Sequence, residues 1–291
     1  MVLFVTQVVF ATLPIASKLI LPVVEPLGIA AFRIFGAALA FAAVKWATRR
    51  GHVTAPRDLL ALFGLSLLGV VLNQVLFLEG VQRTTAVHAN ILITTIPVFT
   101  LGIAMLLGRE RGTALKMSGI ALAGAGAAYL ALARTGGADG ASLLGDTLVV
   151  VNSVCYAWYL VLSKDLLKRY DPITVVTYVF LFGALIIAPF GVPALARIPA
   201  EALTVRRLLV IGYIIVFTSF LTYLLSIWAL KRAQSSLVAM YVYVQPLVTA
   251  LLAPLVLGER VTPRAGLASL LIFSGLALAT RTAKAPLPEV V

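Results

Sequence analysis

Apolar residues in this chain run unbroken for about twenty positions at a time and do not alternate with polar ones. That length crosses a bilayer as an α-helix, whereas the strands of a membrane barrel alternate over about ten residues. Short stretches with charge, proline or glycine separate the runs. They predict ten helical spans, at residues 2–21, 26–46, 58–79, 86–107, 114–133, 143–163, 172–192, 207–229, 235–257 and 264–281. The connections are short, so consecutive helices are expected to be antiparallel, with no domain outside the membrane. No basic segment precedes the first span, and Pro14 and Lys18 interrupt it, so it reads as a membrane helix and not as a cleavable leader. The closing APLPEVV is too short and proline-rich to fold.

The punctuating residues recur. Pro97 and Glu110 return as Pro246 and Glu259, Arg83 as Arg232 and Gly126 as Gly275, all at an offset of 149. Ser17-Lys18 returns as Ser163-Lys164 and Glu25-Pro26 as Asp171-Pro172, at 146. Ordered matches at nearly one offset mark a duplication. Each copy holds five spans, an odd number, so the second must enter the membrane from the opposite side. That is the inverted repeat of many secondary transporters. The expected architecture is an all-α integral membrane protein of ten transmembrane helices in two inverted five-helix repeats. The repeats cover 1–135 and 143–281, with a connecting loop at 136–142 and a cytoplasmic tail at 282–291.

Composition agrees: 61% of the residues are hydrophobic and 12% charged, against about 25% charged in a soluble domain. Such a chain cannot cover its apolar surface in water; its surroundings are the lipid bilayer. The net charge of +12 would suggest nucleic acid in a soluble protein. Here the basic residues lie between apolar runs, where the positive-inside rule and anionic headgroups account for them, and no nucleic-acid partner is expected. With the N-terminus cytoplasmic, fourteen Lys and Arg fall inside and eight outside. The bias is seven to three in the first half and seven to five in the second. Both termini are therefore expected in the cytoplasm. Cys155, the single cysteine, excludes an intramolecular disulfide and any CxxC metal site and reads as a packing thiol.

No catalytic signature is present: GxxxxGK[ST], HExxH and GxSxG are all missing. His52 and His88 are separated by whole helices, and no span holds two carboxylates. An enzyme, a cofactor and a metal site are not expected. Polar side chains inside membrane spans are costly and mark sites by default. The candidate substrate-binding residues are Asn73, Gln74, His88, Asn90, Asn152, Tyr156, Tyr241 and Gln245, with Arg33 of span 2 as a candidate inward charge. Asn152, Tyr156, Tyr159 and Ser163 form one stripe of span 6, and Tyr241 and Gln245 stand one turn apart just before Pro246. Thr218, Thr222 and Ser226 share a face of span 8. The bland alternative is helix-packing glue and kinks, which suits Ser and Thr because they can bond their own backbone. Tyr156, Tyr241 and Trp158 could be interfacial anchors, His88 a cap or packing residue, and Arg33 could snorkel outward. Glu79, Glu110, Asp146 and Glu259 all fall at span ends, so the usual mid-span proton carrier is missing; Glu110 and Glu259 are expected to pair with neighbouring Arg. Proton coupling, if any, would fall to His88. Small residues crowd 119–128 and 266–275, compatible with a dimer interface or a packed hairpin; monomer and homodimer stay open.

Ten spans in duplicated halves, Arg33 in span 2, and the stretches Pro97 to Glu110 and Pro246 to Glu259, each closing on an LG with acid and base, resemble the EamA-type branch of the drug/metabolite transporter superfamily. The chain is similar within it to the YddG-like amino-acid exporters. It departs by reading LGRE after span 4 where LGER follows span 9. The resemblance implies an ATP-independent exporter of the bacterial inner membrane with a central cavity between the halves. Neutral amides and aromatics suit a zwitterionic small-molecule substrate, amino acids first, moved by alternating access. The alternatives are multidrug or cation efflux, which would want an acidic cavity residue, a nucleotide-sugar-like substrate, which would want more basic ones, and a membrane scaffold or membrane-embedded enzyme.

Overall fold

A computed structural model describes residues 1–109, 113–132 and 142–280. Glu110, Arg111, Arg134, Arg281, Lys284, nearly all of the 136–142 loop and the 282–291 tail lie outside the described residues. The described chain is helical, and its helices occupy the expected stretches. We number them α1 (Val2–Ile20, broken at Thr12), α2 (Pro26–Ala47), α3 (Pro56–Arg83), α4 (Ala86–Leu106), α5 (Ala114–Leu132), α6 (Leu143–Leu167), α7 (Pro172–Ala196), α8 (Val205–Arg232), α9 (Ser235–Met240, continued as Val244–Leu257) and α10 (Pro263–Thr280). Among the described residues seven, α1 to α4 and α6 to α8, are long and apolar enough to cross a membrane; Ala114–Leu130 and Tyr241–Leu257 are shorter apolar helices.

Local chemistry sets the starts and stops. Proline opens α2, α3, α7 and α10, where its missing N–H costs nothing. Ser142 and Asp171 cap α6 and α7 by accepting from the Gly145 and Ile173 amides at 3.0 and 2.9 Å. Past α4 and α9, Gly108 and Gly258 turn the chain in the left-handed region at φ 67° and 69°. The swapped order of LGRE and LGER thus leaves both glycines with one task.

The irregularities repeat as the sequence does. α3 widens into a π-helical turn at Leu67–Leu72, and α8 does so at Ile214–Leu221. α4 breaks at Thr94-Thr95 ahead of Pro97, and α9 tightens into a 3-10 turn at Tyr241–Tyr243 ahead of Pro246, because a proline ring collides with the carbonyl four residues back. Packing repeats too: α2 lies on α7, α5 on α10 and α4 on α9, while α3 packs against α6 as α8 packs against α1.

Two pairs of equivalent contacts fix direction. Arg50 at the end of α2 pairs with Asp171 at the start of α7 (3.2 Å), and Arg197 after α7 pairs with Glu25 before α2 (3.8 Å). Equivalent helices α2 and α7 therefore run antiparallel. Gly126 of α5 packs against Ala268, Leu271 and Ile272 of α10, and Gly275 of α10 against Gly119 and Ala123 of α5. A Cβ on Gly275 would lie 2.6 Å from the Ala123 nitrogen and the Gly119 oxygen, so the small residues of these helices are used against each other.

Candidate functional site

α1, α2, α3 and α4 of the first copy and α6, α8 and α9 of the second surround one central cavity. Its walls are Gln7, Phe10, Leu13, Arg33, Asn73, Phe77, Ile93, Ile96, Asn152, Tyr156, Tyr223, Val242 and Gln245. The irregular turns build it. Within the π-helical turn of α3, Gly69 has no Cβ, which would stand 2.2 Å from the Tyr159 ring, and its carbonyl is accessible to a neighbour. The Tyr223 hydroxyl shares its proton between the Gly69 carbonyl (2.9 Å) and Asn73 Oδ1 (3.0 Å). Asn152 Nδ2 donates to the Asn73 carbonyl at 2.5 Å. On the other wall Gln245 Nε2 donates to Gln7 Oε1 at 2.5 Å. Phe10, Tyr156 and Phe180 surround the Tyr223 ring edge to face, with centroids 4.9–6.4 Å away.

Arg33 is the one charged side chain among these lining residues. It is 2% exposed, and its Nε donates to Ser219 Oγ at 3.0 Å in the π-helical turn of α8. Among the described residues its Nη1 is buried without a hydrogen-bond partner and no carboxylate lines the cavity. Burying an uncompensated charge costs several kcal/mol, so the site is poised for an anionic group. The cavity volume is about 60 Å³, against about 10–15 Å³ for one water. In this conformation it takes a few waters or the head of a small solute, and a larger one requires the helices to part.

Five of the sequence candidates meet here: Arg33, Asn73, Asn152, Tyr156 and Gln245. The other four do not line the cavity. Asn90 ties three helices together: its Nδ2 donates to the Ala11 carbonyl at 3.1 Å and to Thr249 Oγ1, and Thr249 itself bonds Ala11 at 3.0 Å. His88 Nδ1 lies 3.3 Å from Asp146 Oδ2, while Thr84 donates to Asp146 Oδ1 at 2.5 Å, near the start of α4. Gln74 is fully buried outside the lining, and Tyr241 is half-buried in the 3-10 turn. Thr218 and Thr222 bond carbonyls of their own helix at 2.8 Å. Gln7, Phe10 and Tyr223 were not candidates. The repeat pointed at one of them, since Tyr223 is Gln74 moved on by 149.

Polar contacts close the bundle at both ends. At the Lys18 end, Glu259 accepts from the Ala86 and Val87 amides at 2.9 and 3.1 Å and pairs with Lys18 at 4.0 Å, where an Arg partner was expected. At the other end Lys164 Nζ donates to the Leu230 and Ala233 carbonyls at 3.0 and 2.5 Å. Asp58 there accepts from Arg169 (2.6 Å) and Tyr170 (2.7 Å).

Comparison with known proteins gives this architecture a family. Residues 1–132 and 143–281 each match the EamA-like transporter family. An uncharacterized transporter of Archaeoglobus fulgidus is 30% identical over 287 residues, 96% of each chain. The inner membrane transporter YedA of Escherichia coli is 28% identical over 73% of this chain and 68% of its own. One crystal structure matches with a TM-score of 0.70 over 98% of both chains at 17% identity, a likeness of fold. The family and the names of the relatives point to a transporter and not an enzyme. The chain belongs to the EamA-like transporter family and is a multi-pass membrane transporter.

Proposed function

We propose that this transporter exports small zwitterionic or anionic metabolites, amino acids foremost, without ATP, by alternating access through the cavity around Arg33. The carrying observation is a buried guanidinium whose Nη1 has no partner among the described residues, in a cavity whose other described polar lining is amides and tyrosines, with no acid among them. A carboxylate supplies the missing counter-charge with charge-assisted hydrogen bonds, Asn73, Asn152 and Gln245 offer donors and acceptors for the rest of the backbone, and the Tyr156–Tyr223 side takes a variable side chain. A cation would meet Arg33 unopposed, which disfavours cation efflux.

In this reading the ten helices are two inverted repeats, 1–135 and 143–281, around an axis in the membrane plane, with both termini cytoplasmic and the inner membrane as the location. Support comes from the antiparallel course of α2 and α7, the basic bias of the connections and the named location of the Escherichia coli relative. The contacts at both bundle ends are the gates, broken alternately.

Proteoliposomes given a panel of labelled amino acids test this. Saturable, gradient-driven uptake competed by other carboxylates is expected from the wild type, and uptake of much lower apparent affinity from Arg33→Met. Equal uptake by both, or accumulation only of organic cations, would overturn the assignment.

A further inference from the structure

A second site lies away from the cavity, where α2 ends beside α7. Lys45, Arg49, Arg50 and His52 converge there on a crevice of about 770 Å³ that is also lined by Ala42, the exposed Leu181 and the buried Thr177. That volume lies within the range of about 300–1,000 Å³ typical of small-ligand sites. Asp171 neutralises Arg50 at 3.2 Å. Lys45 and Arg49 keep a net positive charge, with His52 Nδ1 3.2 Å from the Lys45 ammonium.

Backbone geometry sets Arg49 apart. The amide of Arg50 donates to the Lys45 carbonyl at 3.2 Å and that of Arg49 to the Trp46 carbonyl at 3.1 Å, the double bond pattern that closes a helix on a left-handed residue, usually glycine. Here that residue is arginine, at φ 49°, the only non-glycine with positive φ among the described residues. A glycine, Gly51, stands two positions later. A side chain in that conformation costs of order 1 kcal/mol or more and persists only where its surroundings hold it there.

The repeat separates scaffold from site. At the offset of 147 that relates Arg50 to Arg197, the paired arginine recurs, but Lys45, Arg49 and His52 become Val192, Ala196 and Pro199. α7 ends with Arg197 in ordinary right-handed geometry. Closing the helix and pairing with the opposite start therefore require neither Lys45 nor a left-handed Arg49. Trp46 of the crevice is 84% exposed, and Leu39, two turns earlier on α2, is 73% exposed, an aromatic anchor and an apolar helix surface as at a membrane interface.

We infer that this crevice binds the phosphate of an anionic phospholipid, with Lys45 and Arg49 on the phosphate and an acyl chain along Ala42 and Leu181. The apolar wall is what favours a lipid over free inorganic phosphate, whose chemistry is the same. Full-length protein in detergent, titrated with phosphatidylglycerol, phosphatidylcholine of the same chains, or inorganic phosphate and followed by native mass spectrometry and thermal unfolding, tests it. Wild type should hold phosphatidylglycerol over phosphatidylcholine, and Lys45→Gln/Arg49→Gln should lose roughly 30-fold of that preference, about fivefold per cation. Arg206→Gln/Arg207→Gln, at the other end of the bundle, should leave it unchanged. Arg49→Gly should raise the melting temperature while weakening phosphatidylglycerol, a split that a purely structural arginine would not give. No preference in the wild type, an unaffected Lys45/Arg49 double variant, or stabilisation by inorganic phosphate equal to that by phosphatidylglycerol would each overturn the lipid site.

Discussion

The two repeats agree at their periphery and differ at the cavity. Gly126 and Gly275 sit at equivalent positions and each presses on the other's helix. The ion pairs Arg50–Asp171 and Arg197–Glu25 are equivalent as well, and both copies carry a π-helical turn in the third helix and a break in the fourth. Toward the centre the correspondence fails. At the offset of 147, Arg33 becomes Phe180, which packs edge-on against Tyr223 at 4.9 Å; at 149, Gln245 corresponds to Ile96. Positions that hold helices together must satisfy the same packing twice. In the proposed function, positions that face the solute see it from opposite sides, and a solute with one carboxylate needs one cation.

The largest effect expected from breaking this contrast is at Arg33. Losing hydrogen bonds from a charged donor costs about 1.5–3 kcal/mol, so Arg33→Met should weaken apparent substrate affinity by about 10- to 150-fold. Phe180→Met, its counterpart, should leave affinity within a few fold. Uptake kinetics on both variants compare them directly; equal losses would erase the distinction between cavity and scaffold. Next comes Gly275→Ala, whose Cβ meets two backbone atoms of α5 at 2.6 Å. Overpacking of that kind costs about 1–3 kcal/mol, so the melting temperature in detergent should fall. Gly126→Ala, whose nearest contacts are side chains at 2.9 Å, should fall less, and Gly124→Ala, with nothing within 4 Å, should not fall. A uniform response across the three would contradict the α5–α10 packing. The smallest effect is at Gln245→Ala: one neutral hydrogen bond, about 0.5–1.5 kcal/mol, or roughly a 2- to 13-fold loss of affinity, with a modest fall in melting temperature because Gln7 Oε1 loses its donor. Asn90→Ala should reverse that pattern, with lower thermal stability and unchanged affinity, because Asn90 bonds Ala11 and Thr249 and lies outside the cavity lining.

The sequence made the helices legible because an apolar run of membrane length has few other uses, and Pro97 and Pro246 announced the breaks. The π-helical turns were hidden. No proline or charge marks them, and they arise where Gly36 and Gly183 admit Ile215 and Val70 from the facing helix. For the cavity, a polar residue within a span shows that a partner is needed but not which one. Arg33 and Gln245 found the cavity, while Asn90 found other helices. Asp146 looked like a span end and is 2% exposed, because the helix is buried from its first turn against Thr84 and His88. Gln7 and Tyr223 escaped because one polar atom in an apolar run carries little signal until the fold sets six helices around it.

The Glu259 contact has a consequence for timing. α4 begins with amides that its own helix cannot satisfy, and two of them, on Ala86 and Val87, are satisfied by a carboxylate from the far end of the other repeat. Separating the repeats at this end hands those amides to water in the same event. If this end opens and closes as proposed, their deuterium uptake is a clock for that opening, with or without substrate.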